Sequence, residues 1–438
     1  MPKILLVGNG AREHIIASKL AASKDITLCI FASAANPGIK KLSQSYQVGD
    51  LMNNKEITTF AQKEKIDFAV IGPDEPLGNG VVDALMAAGV PSFGPSKTLA
   101  QIEGSKSFAR NLLVKHKIQA YPKHKSVSNL EDAKNWLGEL ASEFVIKPDG
   151  YTRGKGVLVQ GDHFQTQAEG LQKVSEVLRH DGKVLLEEKL VGEEFSLMTI
   201  TDGTSFVHLP AVQDHKRAFE GDRGPNTGGM GSYSDANFSL PFLKESDVEV
   251  ARSVNEAVVQ ALFEETDLKY KGVLYGGFIA VKDGVKLIEY NARFGDPEAM
   301  NVLGVLKSDF AEFCQAVIDE KLGSFKASFE PLATVCKYVV PEGYPDNPLK
   351  GKKIDASGVD QSKVEIYYAS VDEKPDGVYM TSSRAVAVLA KASTIYEAEA
   401  ITEQEIDKIK GRVAHRSDIG TKALLEKRVE HIKSIRNI

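Results

Sequence analysis

Leu287-Ile288-Glu289-Tyr290-Asn291-Ala292-Arg293 spaces a carboxylate, an amide and a guanidinium along a strand-like run. Alternation on a strand puts Glu289 and Asn291 on one face, with Arg293 beyond them. Two hard oxygen donors two residues apart suit Mg²⁺ carrying substrate phosphates. An adjacent guanidinium suits the charge that develops on a transferred phosphoryl group. A surface strand with ordinary polar alternation would read similarly, but Ile288 and the run Gly276-Gly277 before it have the character of buried residues. A second constellation is Ile146-Lys147-Pro148-Asp149-Gly150-Tyr151-Thr152-Arg153-Gly154-Lys155-Gly156. A lysine ends a strand, and a hairpin tip with three glycines carries a second lysine. Such a flap can close over polyphosphate, its glycines letting backbone N–H groups approach the anions. It is not a Walker A loop, because no Ser or Thr follows Lys155 and no helix opens there. A solvated hairpin with incidental lysines is the plainer alternative.

Two weaker signals accompany these. Glu187 and Glu194 flank a short connection, Glu188-Lys189-Leu190-Val191-Gly192-Glu193, and could meet an adenine amino group and ribose hydroxyls; an acidic surface turn has the same composition. Gly8-Asn9-Gly10-Ala11-Arg12-Glu13-His14 follows a strand and opens a helix, where N–H groups and the helix dipole can hold a phosphate. It is not a dinucleotide fingerprint. Glu13 occupies the third glycine position, and no acid closes the second strand.

The elements that must position these residues change grammar along the chain. Through about residue 100, strands at Lys3 to Val7, Ile26 to Ala32 and Phe68 to Ile71 alternate with helical stretches, which predicts a parallel, doubly wound sheet. One helix is expected from Lys97 to Lys115. Strands are then expected at 144–147, 156–159, 184–187, 195–201, 276–281 and 286–290, with a helix over 165–178. The polar, glycine-dense stretch Gln213 to Tyr233 reads as a functional loop. Beyond Pro331, strands at 333–339, 364–369 and 385–389 and a helix around Ile401 to Lys410 predict a small α+β unit.

A chain of 438 residues, 42% hydrophobic and 26% charged, has room for several compact units with real cores. Its net charge of -6 argues against a general binder of nucleic acid or anionic membrane. An anionic substrate must therefore be held by a local cluster of cations. Cys29, Cys314 and Cys336 lack metal-ligand spacing and read as buried thiols of a reducing compartment. No apolar run approaches a membrane span, and the opening strand is too short for a signal segment, so a cytoplasmic location is expected.

In order and spacing, Lys147, the 150–156 hairpin, Glu187, Glu194 and Glu289-x-Asn291-x-Arg293 resemble the ATP-grasp superfamily. Six further motifs narrow the likeness. They are 7–14; Gly72-Pro73-Asp74-Glu75-Pro76-Leu77; Glu103-Gly104-Ser105-Lys106; Gln213-Asp214-His215-Lys216-Arg217; Gly224-Pro225-Asn226-Thr227-Gly228-Gly229-Met230-Gly231; and 291–298. Together they are similar to the phosphoribosylamine–glycine ligase (glycinamide ribonucleotide synthetase) family, through about Asp309 and again at Arg416 to Gly420. The resemblance implies a multidomain α/β and α+β fold: a pre-ATP-grasp parallel-sheet domain (1–102), an ATP-grasp domain (103–328) with a mobile lid at about 120–190, and a small C-terminal α+β domain (329–438). It implies ATP-dependent joining of glycine to 5-phosphoribosylamine through glycyl phosphate, giving glycinamide ribonucleotide, ADP and phosphate in purine synthesis.

By the same resemblance Lys106, Lys147, Gly154, Lys155 and Gly156 hold the triphosphate, Glu187 and Leu190 the adenine, and Glu194 the ribose. Glu289 and Asn291 are the ligands of Mg²⁺ or Mn²⁺. Asp214, Lys216 and Arg293 serve glycine and the moving phosphoryl group, with Asn226, Thr227 and Gly228 beside them, and Gly10 and Glu13 dock the phosphoribosyl substrate. Small-molecule partners and a monomer are expected. The sequence departs from the family at Pro148, at Tyr151-Thr152-Arg153, and at Gly276-Gly277-Phe278, which carries no acid where relatives have a further metal ligand. Two other readings stay open: a ligase of the same superfamily acting on another ribonucleotide, and a non-catalytic nucleotide-binding module. The 213–217 and 226–231 motifs weigh against the first, and retention of every charged site residue against the second.

Overall fold

The computed structural model describes residues 1–150 and 156–437. Near the N-terminus, Lys3–Val7, Thr27–Ala32, Ser45–Val48, Phe68–Ile71 and Ser92–Phe93 form the expected all-parallel sheet, in spatial order third, second, first, fourth, fifth. The strand order reverses between the first and fourth strands. Their carboxyl ends, Gly8 and Gly72, therefore border the crevice where open α/β sheets take ligands.

The next sheet, His124–Val127, Val184–Glu188, Phe144–Pro148 and Leu158–Val159, is antiparallel. Helices Leu130–Glu139 and Gln167–Asp181 complete this unit. Val127, Leu137, Phe144, Ile146, Val174 and Leu186 close a small apolar core of their own, separate from the large one that runs through the rest of the molecule. A unit with a private core and short tethers can move as a body, the physical requirement for a lid.

The central antiparallel sheet pairs Phe206–His208, Glu193–Thr201, Gly272–Val281 and Gly284–Asn291. It is backed by helix Glu245–Thr266, an element not read from the sequence although Val248, Ala251, Val258 and Leu262 bury one face at helical spacing. A further sheet is continuous from the body into the tail, because Gln213–Asp214 and Gly231–Ser234 join Ala333–Pro341, Val386–Ala392 and Val364–Tyr368.

Three sequence expectations are corrected. The stretch 97–115 is two helices, Lys97–Gly104 and Lys106–Lys115, broken at Ser105. Ser105 is extended there, and its Oγ accepts the Phe108 N–H at 3.1 Å, the N-cap preference that Gly104-Ser105 encodes. The tail helix is Ile395–Ile406 rather than 401–410, because Thr394 caps it by accepting the Glu397 N–H at 3.2 Å. The 213–233 segment is built of short strands, including the hairpin Arg217–Phe219/Arg223–Asn226.

N-terminal sheet and tail also pack together through His14. Its Nδ1 accepts the Tyr368 N–H at 2.9 Å. Burial, with Lys41 nearby, brings its pKa down to about 4 and keeps the ring a neutral acceptor.

Candidate active site

One cavity of about 670 Å³ is walled by all of these units. The strand Gly284–Asn291 runs along its floor with a β-bulge: Phe278 pairs with Leu287 and Gly277 with Glu289, so Ile288 has no partner in the ladder. The freed Ile288 carbonyl accepts from Arg110 Nη2 at 2.7 Å and Lys147 Nζ at 3.1 Å. The same two cations hold Glu187, Arg110 Nε at 2.5 Å from Oε1 and Lys147 Nζ at 2.6 Å from Oε2. Burial alone would raise this carboxyl; Arg110 and Lys147 instead bring it down to about 2. Lys147 is thus oriented by a fixed anion. Lys106, at the start of its helix, donates to the Gly150 carbonyl at 2.9 Å. Burial lowers its pKa, with Glu289 opposing and Lys147 adding to the fall.

Further along the floor, Lys216 Nζ sits 3.6 Å from both Glu289 Oε1 and Glu194 Oε2. Against the cost of burial, Lys216, Lys147, Lys106 and Arg293 keep Glu289 below the usual carboxylate range. Glu289 and Asn291 both face the cavity. One ionised carboxylate and one amide oxygen at alternate strand positions fit a hard divalent cation that carries phosphates.

Arg293 follows at the strand's end. Its Nη2 is 3.1 Å from Glu103 Oε1 and 3.3 Å from Asn291 Oδ1, Nη1 donates to the Phe294 carbonyl at 3.1 Å, and the buried Nε has no hydrogen-bond partner among the described residues. Glu103 also accepts the Ala292 N–H at 2.7 Å. Burial pushes Glu103 up to about 7 despite the pull of Arg293.

The opposite wall is the glycine-dense loop. Thr227 Oγ1 donates to the Lys216 carbonyl at 2.9 Å and accepts the Gly229 N–H at 3.0 Å, tying the loop to its own hairpin. Gly229 has φ +104, and a Cβ there would stand 2.5 Å from Asp214 Oδ1 and 2.6 Å from Pro297 Cδ, so only glycine fits. That Asp214 Oδ1 is buried without a hydrogen-bond partner among the described residues. Burial and the neighbouring Glu298 hold the Asp214 carboxyl well above its ordinary range, with Lys216 and Arg384 pulling the other way. The acid therefore keeps an open hydrogen-bonding position at Oδ1.

Most of the residues expected from the sequence converge here. Lys106, Lys147, Glu187, Glu194, Asp214, Lys216, Asn226, Thr227, Gly228, Glu289, Asn291 and Arg293 all line the cavity. Leu190 lies in the connection beside Gly192, which does line it. Gly156, at φ +96, opens the run into Leu158–Val159. Gly154 and Lys155 lie outside the described residues, as do Tyr151, Thr152 and Arg153. Gly10 and Glu13 are not on the wall. Glu13 is buried, accepting the Gly10 N–H at 2.6 Å and pairing with Arg12 at 2.6 Å, so that N–H is already used by the helix's own capping. Arg12, with Asp74 and Glu75, lines the cavity at the crevice of the parallel sheet instead.

Sequence reasoning assigned no role to Arg110, Glu103, Arg12 or Arg384. Glu103 stood inside a quoted motif. Arg110 is one helical turn past Lys106, a spacing that puts both on one face.

Comparison with known proteins follows the same lines. Sequence models of phosphoribosylglycinamide synthetase match the chain in three parts: the N domain at residues 2–103, the ATP-grasp (A) domain at 104–299 and the C domain at 334–422. The chain is 46% identical over 443 residues to the phosphoribosylamine–glycine ligase of Methanocaldococcus jannaschii, covering 99% of this chain and 100% of that one. It is 44% identical over 435 residues to the protein of the same name from Methanosarcina barkeri, again 99% and 100%. Among solved structures, the phosphoribosylamine–glycine ligase of Thermotoga maritima superposes with a TM-score of 0.79 at 26% identity, covering 95% of this chain and 100% of that chain. A Campylobacter jejuni biotin carboxylase complex reaches 0.73 at 15% identity, covering 97% and 95%, a likeness of fold alone.

Proposed function

Because the chain belongs to the phosphoribosylglycinamide synthetase family, we propose that the cavity described above holds ATP at the lid side and glycine against Asp214, and admits phosphoribosylamine at the crevice of the parallel sheet. The chain catalyses the ATP-dependent ligation of glycine to phosphoribosylamine in purine biosynthesis. In this reading Lys106 and Lys147 hold the phosphates, with Gly154, Lys155 and Gly156 supplied by the hairpin. Glu187, Leu190 and Glu194 take the adenosine. Glu289 and Asn291 would hold Mg²⁺ or Mn²⁺, which when bound neutralises phosphate charge. Gly10 and Glu13 shape the phosphoribosyl end from behind Arg12.

A glycine carboxylate oxygen attacks the γ-phosphorus and ADP leaves. The amine of phosphoribosylamine then attacks the carbonyl carbon, loses a proton, and phosphate departs with the carboxylate oxygen. Arg293 meets the charge on the phosphoryl group during the first step.

The division at 1–102, 103–328 and 329–438, with a lid near 120–190, belongs to the same reading and is supported by the lid's separate apolar core. So does a monomeric chain in the cytoplasm. Three unpaired, buried cysteines accord with that compartment, and among the described residues no helix is long and apolar enough to cross a membrane.

The observation that carries the glycine assignment is Asp214 Oδ1, buried, unpartnered and pressed by Gly229. An ammonium there completes the missing charge-assisted hydrogen bond, and the close packing of Gly229 on Asp214 and Pro297 leaves the loop little slack to admit a substrate side chain. Asp214→Asn is expected to raise the KM for glycine about tenfold to a hundredfold, the worth of a hydrogen bond to a charged group, with ATP affinity within about twofold. Separate glycine and ATP titrations check it, and parallel losses for both ligands would show that Asp214 only orders its own loop.

A further inference from the structure

We infer that Arg384, brought in by the tail, is the positioning residue that fixes the glycine-dense loop over Asp214 and so sets selection for glycine over larger amino acids. The inference rests on the assignment of Asp214 as the ammonium partner. Arg384 lies two residues before the strand Val386–Ala392, far in sequence from every other wall of the cavity. Its Nη1 is shared among three carbonyls, Gly228 at 2.6 Å, Gly229 at 3.0 Å and Asp296 at 3.0 Å. Its Nη2 stands 3.2 Å from Asp296 Oδ2. The guanidinium lies over the Tyr338 ring, 4.4 Å from the centroid, and the Tyr338 hydroxyl donates to Asp296 Oδ1 at 2.5 Å. The planar cation is therefore held on its face and along its edges, so its orientation is fixed before it meets the loop.

The loop depends on that grip. Two successive glycines, the second at φ +104, have more conformational freedom to lose than any other pair. Among the described residues, Arg384 is the side chain that satisfies both of their carbonyls. Gly228 lines the cavity and Gly229 packs directly on Asp214 Oδ1 and Pro297, so a small shift of this loop moves both the wall and the acid and changes the room for a substrate side chain. Arg384 donates no hydrogen bond to Asp214 in the structure and acts through the loop. A lysine would bring the charge as a single point and could not span the carbonyls and Asp296 together.

Arg384→Ala and Arg384→Lys, alongside Asp214→Asn, test this with glycine and alanine as alternative substrates in the full chain. For Arg384→Ala the expected result is a glycine KM raised about tenfold or more, an ATP KM within about twofold, and a glycine-over-alanine preference in kcat/KM narrowed about tenfold. Arg384→Lys should recover only part of that preference. A general packing role would lower glycine and ATP affinity together and leave the preference unchanged, and that result, with either variant, overturns the inference. If Asp214→Asn raises the glycine KM while Arg384→Ala does not, the clamp alone is wrong. If Asp214→Asn spares glycine, the ammonium site itself is wrong and the clamp falls with it.

Discussion

Replacing Arg293 with alanine is expected to lower kcat about a thousandfold, the scale of removing one preorganised charge donor from a phosphoryl-transfer site. The size follows from its setting. Arg293 is ringed by Glu103, Asp74 and Glu298, which raise its pKa against the cost of burial, so it is a fixed cation. Its guanidinium is already bonded on one side to Glu103, Asn291 and the Phe294 carbonyl, which aims the rest without reorganisation when charge develops. Loss of Arg293 also removes the main cation opposing the upward shift of Glu103. Arg293→Lys should keep the charge without the fork and lose about a hundredfold. ATP affinity, measured by equilibrium binding, should change far less than kcat because Lys106 and Lys147 are the cations proposed for the triphosphate. A kcat within tenfold of the parent for Arg293→Ala would remove Arg293 from the chemistry.

Glu289→Ala and Asn291→Ala carry the second large effect. Each should raise the Mg²⁺ concentration for half-maximal turnover about tenfold to a hundredfold, and Glu289→Ala should also depress turnover at saturating Mg²⁺. Glu289 should be the stronger of the two proposed ligands because four cations keep it ionised in spite of burial, whereas Asn291 offers a neutral oxygen shared with Arg293. Removing Glu289 also leaves Lys216 with Glu194 as its remaining close anion, so the floor becomes more positive. Titration of Mn²⁺ into each variant with a non-hydrolysable ATP analogue reads binding apart from turnover. Wild-type behaviour of both variants at limiting Mg²⁺ would contradict the assignment.

The sequence was most informative where function is written in consecutive residues. Glu289 and Asn291 sit on one strand with Arg293 two residues past its end, so period-two alternation predicts the shared face of the first two, and the bulge at Ile288 falls within the run without displacing any of the three from the cavity. The parallel sheet was equally legible, because buried parallel strands read as short apolar runs between helices.

Partners supplied from elsewhere in the chain were not legible. Arg384 belongs to a unit read only as a small tail, and nothing local marks it as reaching Gly228. Arg110 sits mid-helix, and a sequence gives no sign that Glu187 and a bulged carbonyl will meet it. Glu13 shows a second kind of hidden contact. Its place at a glycine turn suggests a substrate contact, and the sequence does not show that this glutamate, third in its helix, also accepts the Gly10 N–H.

Glycine carrying ¹⁸O in both carboxylate oxygens gives the most direct measurement, with ATP and phosphoribosylamine supplied and the released phosphate analysed by mass spectrometry. If the cavity activates glycine as an acyl phosphate, one labelled oxygen appears in each phosphate, the amide product keeps the other, and ADP is unlabelled. Label in AMP, or phosphate free of label while amide product accumulates, would contradict the account.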